Sequence, residues 1–244
     1  MPQPGSKMRR KVCDRLVSTN LEAKRLAKAG NVGPLWIMAR EQTGGVGRRG
    51  RSWVSQKGNL FASGLYPHSG NAQAAAQMSF VAALAVHETI NHYIDAPSAI
   101  KWPNDVLAAG RKISGILLES GQDKDKAWLV VGIGINLAHA PQLTDQKTSC
   151  LADWSQTVPK PEQALDILIN SYEHWREQFE RGGFAPIRSA WLARAHGLGG
   201  PVIARLPNKT ISGKAIGLDV DGALEIETAA GERIKIHAGD VFFS

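Results

Sequence analysis

Cysteine is almost missing from this chain of 244 residues: there are two, Cys13 and Cys150, far apart and outside any CxxC or Cys/His ligand pattern. That excludes a disulfide framework, gives no support to a zinc site, and favours a reducing compartment. No apolar run approaches the roughly 20 residues needed to span a bilayer. The opening MPQPGSKMRRKV has no apolar signal-peptide core, so the chain reads as cytoplasmic. Low-complexity tracts and repeats at solenoid spacing are also lacking. There is no GxxxxGK(S/T) phosphate loop, no GxSxG elbow and no HExxH helix, which excludes the commonest motif enzymes. His87, His92, His139, His174, His196 and His237 show no metal-ligand spacing and read as solvated or satisfied side chains.

What is present is an ordinary globular composition, 43% hydrophobic and 21% charged. The length allows one large domain with a small appendage, burying roughly 70–75% of the unfolded surface. A net charge of +7 and a pI near 9.5 favour an anionic partner: nucleic acid, phosphate or an acidic surface. Basic residues cluster only at 7–11 and 48–51, and the first cluster reads as a solvated terminal tail.

Along the chain, Ser18, Thr19 and Asn20 cap a short helix over residues 21–29 that stops at Gly30. Residues 35–40 and 59–67 read as strands joined by the loop QTGGVGRRGRSW. A long central helix follows over 72–94, then strand-like runs at 98–102, 112–119 and 128–136. NDVLAAGRK reads as a hairpin turn around Gly110, and GQDKDK, with Lys124, as another turn. Helices are expected at 161–181, opened by Pro161, and at 186–195. Beyond a boundary near 197–200, four or five short strands predict a small barrel or sandwich.

Three segments carry chemistry. Gly44, Gly45, Gly47 and Gly50 let backbone amides form an anion-binding nest, to which Arg48 and Arg51 add charge. In IKWPNDVLAAGRKISGILLE, Lys101, Asn104, Asp105 and Lys112 gather around a strand pair; the cations can hold phosphate oxygens, and Asp105 can bind magnesium or a ribose. VVGIGIN ends a strand with Gly132, Gly134 and Asn136, an amide suited to a nucleobase edge or ribose.

Taken in this order, STN, QTGGVGRRGRSW, IKWPNDV with GRKISGILLE, GIGIN and a small β module, the chain resembles the biotin protein ligases. The resemblance is dense over residues 18–136 and looser to the C-terminus. It implies an α+β fold: a mixed-sheet catalytic domain with packed helices over 1–197, and an SH3-like β-barrel over 198–244. It also implies an ATP-dependent ligase that converts biotin and ATP, with Mg2+, to biotinyl-5′-AMP. Biotin then passes to one lysine of a biotin carboxyl carrier domain.

The implied biotin contacts are Ser18, Thr19, Asn20, Gln42, Gly45, Val46, Gly47, Arg48, Lys112, Gly115 and Ile116, with Leu117 in the wall. Those implied for the nucleotide are Arg48, Arg51, Trp53, Lys101, Asn104, Lys112 and Asn136, with Trp53 stacking on adenine. Lys112, Arg48 and Asp105 are the implied catalytic residues, and no metal ligand is assigned beyond Asp105 through magnesium. One departure stands out: the family reads Gly-Arg-Gly-Arg-x-Gly-Arg, and Val46 replaces its first arginine, with Arg49 a candidate substitute. Oligomeric state and the particular carboxylase stay open.

A lipoate or octanoate transferase shares the architecture but lacks, as a family, this loop together with KWPND and GRKISG. A nucleic-acid module is disfavoured because no interleaved aromatics precede Phe242 in the C-terminal region. Seventeen residues before Ser18 are too few for a helix-turn-helix, so the expectation is the short type of ligase, without DNA binding.

Overall fold

The computed structural model describes residues 8–68, 71–123, 125–142 and 146–243. Lys7 and Lys124 lie outside the described residues. The strands are β1 (Arg10–Leu16), β2 (Leu35–Gln42), β3 (Leu60–Pro67), β4 (Ser98–Lys101), β5 (Asp105–Ala108), β6 (Arg111–Asp123) and β7 (Lys126–Ile135). They form one sheet in the order β1-β2-β3-β7-β6-β5-β4, in which only β1 and β2 run parallel. Helices α2 (Ala72–Asn91), α3 (Pro161–Gly182) and α4 (Phe184–Leu192) cover one face over the main core. Helix α1 (Thr19–Lys28) covers the other, where Ala23, Ala27, Ile37, Leu65, Trp128 and Val130 pack together.

Two elements depart from the expectation. Arg10 and Lys11 of the basic cluster at 7–11 are not a free tail, because residues 10–16 form edge strand β1. Their charged, non-alternating sequence hides a strand held by its parallel ladder to β2 and by the pairs Lys11–Glu22 (2.6 Å) and Arg10–Asp166. NDVLAAGRK is not all turn, because Asp105–Ala108 forms β5, and only Ala109 and Gly110, both at positive φ, reverse the chain.

The second sheet contains β8 (Pro201–Arg205), β9 (Thr210–Leu218), β10 (Leu224–Glu227), β11 (Arg233–Ile236) and β12 (Asp240–Phe243), in the order β11-β10-β9-β8-β12. RIKIHAGDVFF is therefore two strands that lie at opposite ends of the sheet. Four strand spacings in a flat sheet amount to about 19 Å. The four Cα steps from Ile236 to Asp240 reach at most about 15 Å, so the sheet must curl. It is barrel-like, and no backbone ladder joins β11 to β12 among the described residues. Val202, Ala204, Ile226 and Val241 of this sheet share the main core with α2 and α4. No helix among the described residues is long and apolar enough to cross a membrane.

Candidate active site

Alternation along two neighbouring strands prepares a floor. On β7, Trp128 and Val130 face α1, so Gly132 and Gly134 face the same way; opposite them on β6 stand Leu117 and Gly115. Large side chains close the sheet near the middle of α1. Glycines leave a cavity of about 270 Å³ near its N-terminus. Its lining includes Ser18, Thr19, Asn20, Gln42, Val46, Gly47, Arg48, Arg51, Trp53, Asn104, Asp105, Lys112, Gly115, Ile116 and Leu117. Residues far apart in sequence thus share one site. Gly45, Lys101 and Asn136 do not line it.

One end is lined by uncharged polar side chains, anchored from behind by the Lys24–Glu119 ion pair (2.6 Å). Gln42 Oε1 accepts from the Thr19 amide (2.8 Å) and hydroxyl (3.1 Å), while Gln42 Nε2 donates to Ser55 Oγ (2.9 Å). Asn20 Nδ2 donates to Glu119 Oε2 (2.8 Å), and its Oδ1 accepts from the buried Ser63 hydroxyl (2.6 Å). Ser18 occupies the N-cap position of α1, yet its side chain makes no capping hydrogen bond and borders the cavity instead.

The other end is charged. Lys112 Nζ lies 2.7 Å from Asp105 Oδ1, both side chains being largely shielded from solvent. This ion pair balances a cation and an anion within the charged end of the cavity. Arg48 Nη1 donates to Asn104 Oδ1 (3.0 Å), and Asn104 Nδ2 donates to the Ile116 carbonyl (2.7 Å). Burial holds the Arg48 guanidinium below its ordinary pKa, and the Asp105 charge opposes that shift. Lys101, directly across from Asp105 on the neighbouring strand, is likewise lowered by burial and raised by Asp105. Lys112 reaches this face through a bulge: Val106 pairs with Ser114 but Leu107 pairs with Lys112, so Ile113 is the extra residue. Residues 147–149 clamp it, since the Lys112 amide donates to the Lys147 carbonyl and the Ser149 amide to the Lys112 carbonyl.

The loop between β2 and β3 is more regular than its composition implies. Val46 bridges Ser52, the Trp53 amide donates to the Gly45 carbonyl, and residues 48–50 form a single 3₁₀ turn at the tip. The Gly44 and Gly47 amides are donated to the Val17 and Arg51 carbonyls, so they are not part of an open anion nest. Arg49 pairs with Asp240 rather than turning to the cavity at Val46. The Trp53 ring lies on the floor glycines: a Cβ on Gly134 would come within 2.5 Å of it, and one on Gly115 within 2.9 Å. Lys112 Nζ is 5.6 Å from the ring centroid.

Asn136 is buried outside the cavity, where its amide donates to the Ser149 carbonyl (3.0 Å) and so supports the segment that clamps Lys112. Sequence reasoning missed Ser52, which lies inside the loop motif but was passed over between Arg51 and Trp53, and Phe61 and Gln146 in the lining and Ser63 behind it, which belong to no motif. Gln146 Nε2 donates to Asp105 Oδ2 at 3.4 Å. Among the described residues no group of three or more His, Cys, Asp or Glu could hold a metal ion.

Residues 12–136 match the biotin/lipoate A/B protein ligase family, and residues 197–244 match the biotin protein ligase C-terminal domain. A biotin–[acetyl-CoA-carboxylase] ligase of Paracoccus denitrificans is 45% identical over 93% of this chain and 97% of its own length. The bifunctional ligase/repressor BirA of Bacillus subtilis is 34% identical over 93% of this chain and 72% of its own. Among solved structures, the Aquifex aeolicus biotin protein ligase in complex with biotin and ATP superposes with a TM-score of 0.81. It is 28% identical and covers 97% of this chain and 99% of that one.

Proposed function

This chain belongs to the biotin protein ligases, and from that premise we infer how its cavity performs the two half-reactions. In the first, a biotin carboxylate oxygen bonds to the α-phosphorus of ATP and pyrophosphate leaves. In the second, a carrier-domain lysine amine bonds to the acyl carbon and AMP leaves. The observation that carries the assignment is the two-ended cavity. A ureido ring needs fixed neutral donors and acceptors, whereas a carboxylate meeting a phosphate needs cations.

Ser18, Thr19, Asn20 and Gln42 take the head group, against a wall of Gly115, Ile116 and Leu117. Lys112 sits where the carboxylate and α-phosphate oxygens converge, so it offsets charge that grows as the bond forms, with no proton transfer required. Arg48, fixed by Asn104, holds the adenylate from the loop side, and Arg51 adds charge at the rim. Trp53 lies on Gly134 next to Lys112, in position to meet adenine. Asn136 acts indirectly, through the segment clamping Lys112, and Lys101 acts through the field around Asp105. The proposed units are residues 1–197 for biotin and ATP and 198–244 for the C-terminal barrel, working in the cytoplasm.

Magnesium fits only as a guest of the nucleotide. Asp105, paired with Lys112, is the one carboxylate in the cavity lining, and no second carboxylate completes a cage among the described residues. A magnesium ion that keeps waters and phosphate oxygens needs no more than one such ligand. When bound it would neutralise charge on the departing pyrophosphate.

The test is the purified chain with biotin, MgATP and a carrier domain, read by streptavidin blot and by pyrophosphate release. Biotin-dependent pyrophosphate and a labelled carrier are expected. Calorimetry with lipoate in place of biotin supplies the alternative: tighter binding of lipoate would overturn the choice of substrate.

A further inference from the structure

Arg48, Arg49 and Arg51 crowd the tip of one loop, but they do not point the same way. Arg48 turns inward to Asn104, while Arg49 Nη1 donates to Asp240 Oδ2 (2.6 Å) and Arg51 Nη2 to Asp240 Oδ1 (3.1 Å). Asp240 opens β12, on the second sheet, and both of its oxygens are engaged by this one loop. Arg49 has φ 56° and ψ 28°, a left-handed conformation that a side-chain-bearing residue keeps only where its surroundings hold it. The charges of Arg49 and Arg51 oppose that of Arg48, and Asp105 and Asp240 counter them from two sides. Without Asp240, the charges of Arg49 and Arg51 would stand uncompensated beside that of Arg48.

We infer that Asp240 is a positioning residue for the ligase reaction. It pins the two outward arginines, which fixes the tip and directs Arg48 into the cavity before the nucleotide arrives. Its kinetic consequence rests on the ligase reading; its structural consequence does not. A loop already ordered has less freedom to lose on binding, so the effect belongs in the affinity for ATP more than in the chemical step. The arginine side chains are 44% and 58% exposed, so the pairing must weaken as salt screens it.

The experiment uses the full chain as wild type, Asp240→Asn and Asp240→Glu. Without ligands, tryptic cleavage within residues 48–51 is measured relative to cleavage at exposed sites elsewhere. Loss of two partly exposed ion pairs should speed loop cleavage of Asp240→Asn about five-fold at low salt. The difference from wild type should shrink towards unity near about 0.5 M NaCl. In pyrophosphate release, KM for ATP should rise about five-fold while kcat stays within about two-fold, and Asp240→Glu should recover most of both properties. Equal loop cleavage of wild type and Asp240→Asn at low salt would overturn the inference, as would a fall in kcat with KM unchanged. A wild type that releases no pyrophosphate would count against the ligase reading alone, leaving the cleavage comparison to decide on Asp240.

Discussion

A Cβ placed on Gly132 would stand 2.2 Å from Oδ1 of Asn20. The side chain of Asn20 cannot retreat, because Ser63 and Glu119 hold both ends of its amide in a buried network. Gly132→Ala should therefore cost about 1–3 kcal/mol in urea unfolding, the range for overpacking a filled site. It should also weaken biotin binding about ten-fold or more, since it displaces a buried polar anchor. Calorimetry showing wild-type biotin affinity in this variant would mean that Asn20 does not meet the head group.

Lys112→Ala removes a cation from the point where charge grows. By comparison with deletion of one oxyanion donor, pyrophosphate release should fall about 10²–10³-fold. Biotin should still find Ser18, Thr19 and Gln42, so its dissociation constant should change much less than the rate. Lys209→Ala, at an exposed hairpin turn, is the equal-charge control and should keep near-normal activity. Release at the wild-type rate from Lys112→Ala would remove the centre of the mechanism.

Asn59 is a stability prediction. Its Oδ1 accepts from the amides of Leu137 (2.9 Å), Ala138 (2.9 Å) and His139 (3.1 Å), and its Nδ2 donates to the His139 carbonyl (2.8 Å). Asn59→Ala leaves the buried Leu137 amide without its partner and the more exposed Ala138 and His139 groups to water, and should lower unfolding free energy by about 1–3 kcal/mol, with an unchanged m-value. A loss below about 0.5 kcal/mol, the usual surface-substitution range, would show that water replaces the side chain at no cost.

Below neutral pH, His87 should destabilise the fold. Burial, followed by the Arg194 charge, holds its imidazole below the ordinary value of 6.5. As pH falls, the unfolded chain takes up the proton first. The stability contributed by neutral His87 is complete above about 6.5 and is lost as pH drops towards its folded pKa. His196, also lowered by burial, has the same sign. Urea midpoints between pH 7 and 5 should slope less in His87→Gln than in wild type; identical slopes would assign the acid sensitivity elsewhere.

The sequence alone determined whatever depends on local periodicity. Helix α2 could be read from apolar spacing and α3 from Pro161 in its first turn, and strands β2, β3 and β7 from their apolar runs. β1 and β5 could not, because one is a charged edge strand and the other has four residues; neighbouring strands, not propensity, make them strands. The order of the motifs also named most of the cavity, since Ser18, Gln42, Arg48, Asp105, Lys112 and Gly115 all line it.

Tertiary structure decided which way those residues face. Strict alternation from Gly115 would put Lys112 on the α2 side of the sheet, and one extra residue, Ile113, turns it to the cavity. Asn136 directly follows strand β7, close to where its motif predicts, yet the Ser149 carbonyl claims its amide. Gln146, Ser63 and Asp240 belong to no motif, and they meet the site only because the chain folds back on itself. Spacing along the chain fixes the period of a strand or helix. A bulge, or a partner some 190 residues away, as Asp240 is from Arg49, exists only once the sheets have formed.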